Sequence, residues 1–294
     1  MSAKRQGVYR HKDLVRLFNP RSIAIVGVSP NPGPFGSKTL VNLELGGYAG
    51  KIYPINAKYD RIGERICYPS IKALPEAPDM VVIAIPREAV EASVLDAAEN
   101  GAGGIVLLSS GYSETGKPER IAQQERLVEI VRTNGVRMIG PNCIGILNYG
   151  IDLLATFTEV PNAGRPRPGA IGVVSQSGAL AHALMQASAH GVSYSHSLTS
   201  GNACDVDVAD QISYLAGEPG CGAIACLFEG MSTPERLLEA ASLAHDAGKP
   251  LIIYKMATGE QGAAAAMSHT GSLAGSNAAY SAAFRRAGAY LCTP

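Results

Sequence analysis

Short apolar runs alternate with amphipathic stretches along the chain, and the alternation predicts strands and helices in turn. Ser22-Ile23-Ala24-Ile25-Val26-Gly27-Val28 is apolar and rich in β-branched residues, as a buried parallel strand should be. Lys51–Asn56, Met80–Pro86, Gly104–Gly111 and Val136–Cys143 repeat that pattern. Between them, residues 38–45, 87–100 and 120–133 predict helices, the second with Val90, Val94 and Ala97 inward. A short helix within residues 8–20 comes first, with Leu14, Leu17 and Phe18 on one side and Asn19-Pro20 as its stop. Strand–helix repetition of this kind predicts a doubly wound parallel sheet. Its ligand should sit at the carboxyl ends of the strands, where Gly27, Pro86, Ser109 and Asn142 fall.

Residues 148–169 carry Pro161, Pro166 and Pro168 and predict an irregular crossover. The rhythm then resumes. Ala170–Ser175, Ser193–Ser200, Ala223–Phe228 and Pro250–Lys255 predict strands, and helices are expected after Ser177, over Val208–Leu215 and over Pro234–Ala247. The division predicts two domains, residues 1–148 and 149–294, within a length that suits two compact units.

Composition narrows the class. The chain is 46% hydrophobic and 17% charged, with a formal net charge of zero, so it shows no bias toward nucleic acid or an anionic membrane. Thirty-three glycines and no tryptophan suit an α/β fold whose turns carry ligands. The six cysteines are scattered without the close spacing of a zinc site, which predicts reduced thiols and a cytoplasmic protein. The N-terminus has no apolar signal core, and no apolar run reaches the roughly 20 residues of a membrane span.

Three places carry candidate chemistry. The loop Ser29-Pro30-Asn31-Pro32-Gly33-Pro34-Phe35-Gly36 joins a strand to a helix, and a helix start offers backbone N–H groups to phosphate. Its spacing is not GxGxxG. Where an NAD-binding domain commonly ends its second strand in Asp or Glu, this chain has Asn56 and Lys58. A lysine there favours a ligand with phosphate near its ribose, such as NADP or coenzyme A; a solvated turn residue is the plainer reading. In the second half, Ser175-Gln176-Ser177-Gly178 lies at a helix start and lacks the GxSxG pattern of a hydrolase elbow. Glu229 ends a strand, and His269 sits in a bare Ser-His-Thr-Gly stretch after the next one. A histidine, a carboxylate to orient it and an anion-holding helix start at one sheet end suit phosphoryl transfer through a phosphohistidine. A plain surface loop for His269, a helix-capping partner for Glu229, and turn or capping roles for Asp205 and Asp207 are the alternatives.

Six ordered motifs resemble the NDP-forming acyl-CoA synthetases: Gly27-Val28-Ser29, Ile55-Asn56-Ala57-Lys58, Gly140-Pro141-Asn142-Cys143-Ile144-Gly145, Val174-Ser175-Gln176-Ser177-Gly178, Phe228-Glu229-Gly230 and Ser268-His269-Thr270-Gly271. The last is closest to the ADP-forming acetyl-CoA synthetase branch. The resemblance implies a Rossmann-like CoA-binding domain followed by a flavodoxin-like parallel α/β domain. It implies CoA contacts at Gly27, Ser29, Pro30, Asn31, Gly36, Asn56, Lys58, Ile85, Pro86, Ser109, Ser110, Gly111, Asn142 and Cys143, with Ser109, Ser110 and Cys143 along the pantetheine channel. His269 and Glu229 would be catalytic, Ser175, Gln176, Ser177 and Gly178 would hold phosphate, and no resident metal is implied. His182 stands where the succinate enzymes have a tyrosine, which leaves the acid open. Nothing resembles an ATP-grasp domain, so ATP or ADP and Mg²⁺ would be bound mainly by a partner subunit or domain, and an oligomer is expected. A non-catalytic CoA-binding module and an NAD(P) oxidoreductase are the competing classes.

Overall fold

The computed structural model describes residues 5–160, 164, 166–231, 233–256 and 277–292. Among them, five strands form one parallel sheet: β1 (Ser22–Val26), β2 (Lys51–Ile55), β5 (Met80–Ile83), β6 (Gly104–Leu107) and β7 (Arg137–Ile139), in the order β2-β1-β5-β6-β7. β1, β5 and β6 are buried along their whole length, because helices cover both faces of the sheet. The helices are α1 (His11–Phe18), α2 (Phe35–Gly46), α3 (Val90–Glu99) and α4 (Pro118–Thr133). α2 ends at Gly47, whose left-handed φ of 80° lets its N–H close back on Leu43 and Glu44. α2 begins three residues before the expected Lys38. A small hairpin, β3 (Arg61–Ile62) and β4 (Arg65–Ile66), follows β2.

The second sheet contains β8 (Gly145–Asn148), β9 (Leu153–Thr156), β10 (Ile171–Ser175), β11 (Tyr194–Thr199), β12 (Ala223–Phe228), β13 (Leu251–Lys255) and β14 (Tyr290–Cys292). Its order is β14-β13-β12-β10-β11-β8-β9. β10 to β14 are parallel in flavodoxin-like order, with α5 (Gly178–Met185), α6 (Val208–Gly217), α7 (Pro234–Asp246) and α8 (Asn277–Arg286) between them.

The stretch expected to be an irregular crossover holds β9, which closes a hairpin with β8 just ahead of it. β9 is only four residues long, and its turn is set by Asp152 at φ 56° and by the Gly150 N–H donating to Asn148 Oδ1. Because β8 pairs antiparallel with β11, the chain passes from one sheet to the other around Gly140–Ile144, ahead of the 148/149 division expected from the sequence. The hairpin also packs on α2 of the first sheet. Asn42 Nδ2 donates to the carbonyls of Thr156 (2.7 Å) and Thr158 (2.9 Å), and a Cβ on Gly46 would fall 2.8 Å from Leu154 Cδ1.

Charge joins the two halves elsewhere. Asp207 caps α6 as expected, accepting from the N–H groups of Ala209 and Asp210, and it also pairs with the buried Arg236. Asp210, fully buried, accepts from Arg236, from Arg5 and from the Tyr9 N–H. Asp205 is more than a turn residue: it accepts from Arg132, the Tyr9 hydroxyl and the Met138 N–H, tying α4 and β7 to the second half. His196 on β11 is buried edge-on against Tyr214 of α6, and burial holds its pKa down at about 4. No helix among the described residues is long and apolar enough to cross a membrane, and all six cysteines are free thiols.

Candidate functional site

β1 and β5 are neighbours, and the loops after them bound the first crevice. Gly27 follows β1 at φ 98°, and a Cβ there would stand 2.5 Å from the Ala84 carbonyl oxygen. A Cβ on Gly36 would stand 2.7 Å from the Gly27 oxygen. Two glycines nine positions apart therefore let the start of α2 lie directly on the end of β1, the close approach a phosphate-binding turn needs. Pro34 at the N-cap offers no side-chain acceptor to the first N–H groups of α2. Ser37 Oγ fastens the loop, donating to the Ser29 carbonyl and accepting from the Ser29 N–H. Ser29, Pro30 and Asn31 line a cavity of about 740 Å³, walled by α2 and by the β3–β4 hairpin.

The other expected contacts divide into exposed and committed groups. Lys58 is exposed at the turn after β2. Asn56 is committed, with Nδ2 donating to the Val28 carbonyl (2.8 Å) and Oδ1 accepting from the Lys58 N–H (3.0 Å). Its side chain braces the loop after β1. Pro86 and Ser110 are exposed, and Ile85 and Gly111 partly so. Ser109 Oγ donates to the Ile85 carbonyl at 2.6 Å, and the Ser109 carbonyl accepts from the Asn142 N–H at 2.9 Å. Cys143 lies under this turn: it is buried, its Sγ donates to the Leu107 carbonyl, and burial pushes its thiol up to about 12.

The Gly140–Cys143 turn, through a cis Gly140–Pro141 bond, rests on the loop that ends β11. A Cβ on Gly201 would meet the Pro141 oxygen at 2.4 Å, and the Asn142 and Asn202 side chains bond to each other. Asn202 Nδ2 also reaches Glu114 and Gln124 of the first half, a bridging role the sequence did not single out. The ligand ends of the two sheets are thus adjacent.

In the second sheet the β10–β12 pair marks the point where the strand order reverses. Ser175 is buried, and its Oγ donates to the Ser177 carbonyl while accepting from the Ser177 N–H. Ser177 caps α5, accepting from the Leu180 N–H. Gly178 lets α5 approach Ile144, whose Cγ2 would stand 2.6 Å from an added Cβ. Gln176 is turned across the sheet: Oε1 accepts from the N–H groups of Glu229 (2.6 Å) and Gly230 (3.3 Å), and Nε2 donates to the Gly230 carbonyl (2.9 Å). The Ser175 and Gln176 side chains are therefore engaged inside the protein, and the start of α5 presents backbone N–H groups. Glu229 is half-buried at the end of β12. His182 lies one turn into α5, on a narrow crevice with Ile144, Thr156, Thr158, Met185 and Thr199.

β13 ends beside β12, with Phe228 opposite Lys255 and the Met256 N–H on the Phe228 carbonyl. Lys255 is buried there, which lowers its pKa. His269 follows this strand in the sequence and lies outside the described residues. Among the described residues no group of His, Cys, Asp or Glu side chains converges as a metal site would.

Two family models match in succession: a CoA binding domain over residues 21–149 and a succinyl-CoA ligase like flavodoxin domain over residues 168–293. The chain is 37% identical over 273 residues to the α subunit of an ADP-forming acetate–CoA ligase II from Pyrococcus furiosus, covering 92% of this chain and 58% of that subunit. It is 35% identical over 280 residues to the ADP-forming acetate–CoA ligase of Methanocaldococcus jannaschii, covering 95% of this chain and 38% of that one. Among solved structures, an acetyl-coenzyme A synthetase of Ca. Korarchaeum cryptofilum, in complex with phosphate and ADP, superposes with a TM-score of 0.87 at 36% identity. That match covers 96% of this chain and 60% of the other. The chain thus spans about three-fifths or less of each of these relatives.

Proposed function

We propose that this chain, which belongs to the NDP-forming acyl-CoA synthetase family, forms the CoA-binding, phosphohistidine-bearing part of such a synthetase. Acid, CoA and ATP become acyl-CoA, ADP and phosphate. In the thioester-cleaving direction, phosphate attacks the acyl carbonyl and CoA leaves as its thiol, giving an acyl phosphate. A nitrogen of His269 then takes the phosphoryl group, the carboxylate leaves, and ADP receives the phosphoryl group to become ATP.

The observation that carries this reading is the meeting of the α5 N-terminus with Glu229 at the carboxyl end of one sheet, where strand β13 also ends. The α5 backbone would hold phosphate oxygens, and Glu229 would orient the imidazole. In the first sheet the Gly27–Gly36 turn and the cavity beside Ser29–Asn31 would take the CoA phosphates, with Lys58 toward the adenosine end. A partner carrying an ATP-grasp fold would bind ATP or ADP with Mg²⁺, and the assembly would be a cytoplasmic oligomer. The acid would enter beside His182.

Two measurements test this. With an ATP-grasp partner and γ-labelled ATP, the chain acquires acid-labile phosphate, and His269→Ala abolishes it; label that persists in the variant overturns the mechanism. CoA raises the melting temperature of the chain more than NAD does, and the opposite order supports an oxidoreductase.

A further inference from the structure

Gln176 was expected among phosphate ligands, yet its side chain crosses to the neighbouring strand's loop. β10 and β12 pair in register up to Ser175 opposite Leu227, and the last backbone link is the Gln176 N–H on the Leu227 carbonyl at 3.1 Å. Beyond it the two chains separate, one into α5 and the other toward α7. The Gln176 carboxamide continues the ladder where the backbones cannot. It binds both consecutive N–H groups, of Glu229 and Gly230, and the Gly230 carbonyl. A primary amide supplies both an acceptor with two lone pairs and a donor from one planar group. This use leaves one amide N–H for anything else.

We propose that Gln176 is a positioning residue for phosphoryl transfer: it fixes the backbone of Glu229–Gly230 and thereby aims the Glu229 carboxylate, without itself holding the transferred phosphate. The role rests on the function proposed above. Glu229 is the first residue past β12, and Gly230 behind it is buried, so the direction of the carboxylate follows from how that backbone is held. Ser175 and Ser177 cannot replace this tie, since their hydroxyls bond within their own turn.

The test compares Gln176→Met, which keeps length and removes every bond, with Gln176→Glu, which keeps an acceptor and loses the donor to the Gly230 carbonyl. Both are assayed with the ATP-grasp partner. The rate of phosphoryl labelling should fall about 100-fold in Gln176→Met, the scale of a misplaced catalytic group. The fall should be smaller in Gln176→Glu. The KM for phosphate should stay at the wild-type value in Gln176→Met, and the CoA-induced thermal shift, which reads the other sheet, should stay at the wild-type value in both. Amide hydrogen exchange should quicken at Glu229 and Gly230 ahead of the rest of the sheet. If Gln176→Met does not fold, the same readouts on Gln176→Glu decide. A raised KM for phosphate with an unchanged labelling rate would make Gln176 a phosphate ligand and overturn the proposal. An undiminished labelling rate in the variant, with the wild type labelled, overturns this role alone. No label on the wild type overturns the reaction and this role together.

Discussion

At the end of the first sheet the absence of side chains makes the site; at the end of the second, side chains locked to one another make it. Gly27 and Gly36 bring α2 within a Cβ's distance of β1, and the loop between them borders an open cavity. Across the Gly140–Cys143 turn, Ser175, Ser177 and Gln176 are all engaged in hydrogen bonds inside the protein. The two ends should therefore fail in different ways. The first is sensitive to added volume, the second to lost polarity, as steric exclusion and unsatisfied hydrogen bonds respectively require.

The sharpest break is Gly27→Val. A branched side chain at φ 98° and 2.5 Å from a carbonyl oxygen should cost about 4 kcal/mol, at the upper end for single substitutions, and should abolish the CoA-induced thermal shift. Urea midpoints and CoA titration check it. The second effect separates the sheets by pH. His196 has a folded pKa of about 4, below the ordinary 6.5, so the stability it contributes is complete above the unfolded value and is lost as pH falls from 6.5 toward 4. From pH 8 to pH 5 the loss should be about 2 kcal/mol, carried by the second sheet, and His196→Phe should remove that part of the slope in urea unfolding. Asn56→Leu comes third. Losing its bonds to Val28 and Lys58 should cost about 1.5 kcal/mol and weaken CoA binding while phosphoryl labelling at saturating CoA is unchanged. Lys58→Ala is the smallest. Its side chain is exposed, so CoA affinity should drop about threefold, more at low salt than at high, with no change in the melting temperature of the free chain.

The same contrast explains what was legible in the sequence. Strands such as Ser22–Val26 and Met80–Ile83 are readable because burial on both faces demands unbroken apolar runs. The gathering of Ser175–Gly178 and Glu229 at one sheet end follows from strand order alone, since parallel strands deliver their following loops to the same side. The β8–β9 hairpin is not legible because Leu153–Thr156 is short and its partner is an antiparallel strand outside the strand–helix rhythm. The orientations of Gln176 and Asn56 could not be read from their neighbours in sequence. An amide at a strand end satisfies itself equally well on a ligand or on a loop distant in sequence, and only the fold decides. Cys143 is similar: a polar-looking turn residue that the tertiary contact with Leu107 puts underneath the surface. His269 lies outside the described residues, so its expected place rests on the strand before it.

The β8–β9 hairpin also governs how this protein can be taken apart. A cut between Asn148 and Tyr149 leaves one strand of the hairpin on each fragment. The first fragment would carry β8 without β11, and the second would offer β11 and β9 as bare edges, the kind of surface that recruits other chains into aggregates. It would also strip α2 of the carbonyls that Asn42 holds. A dissection that keeps residues 145–156 together with the second half preserves every rung of that sheet, and leaves the exposed flank of α2 as the surface to be made soluble.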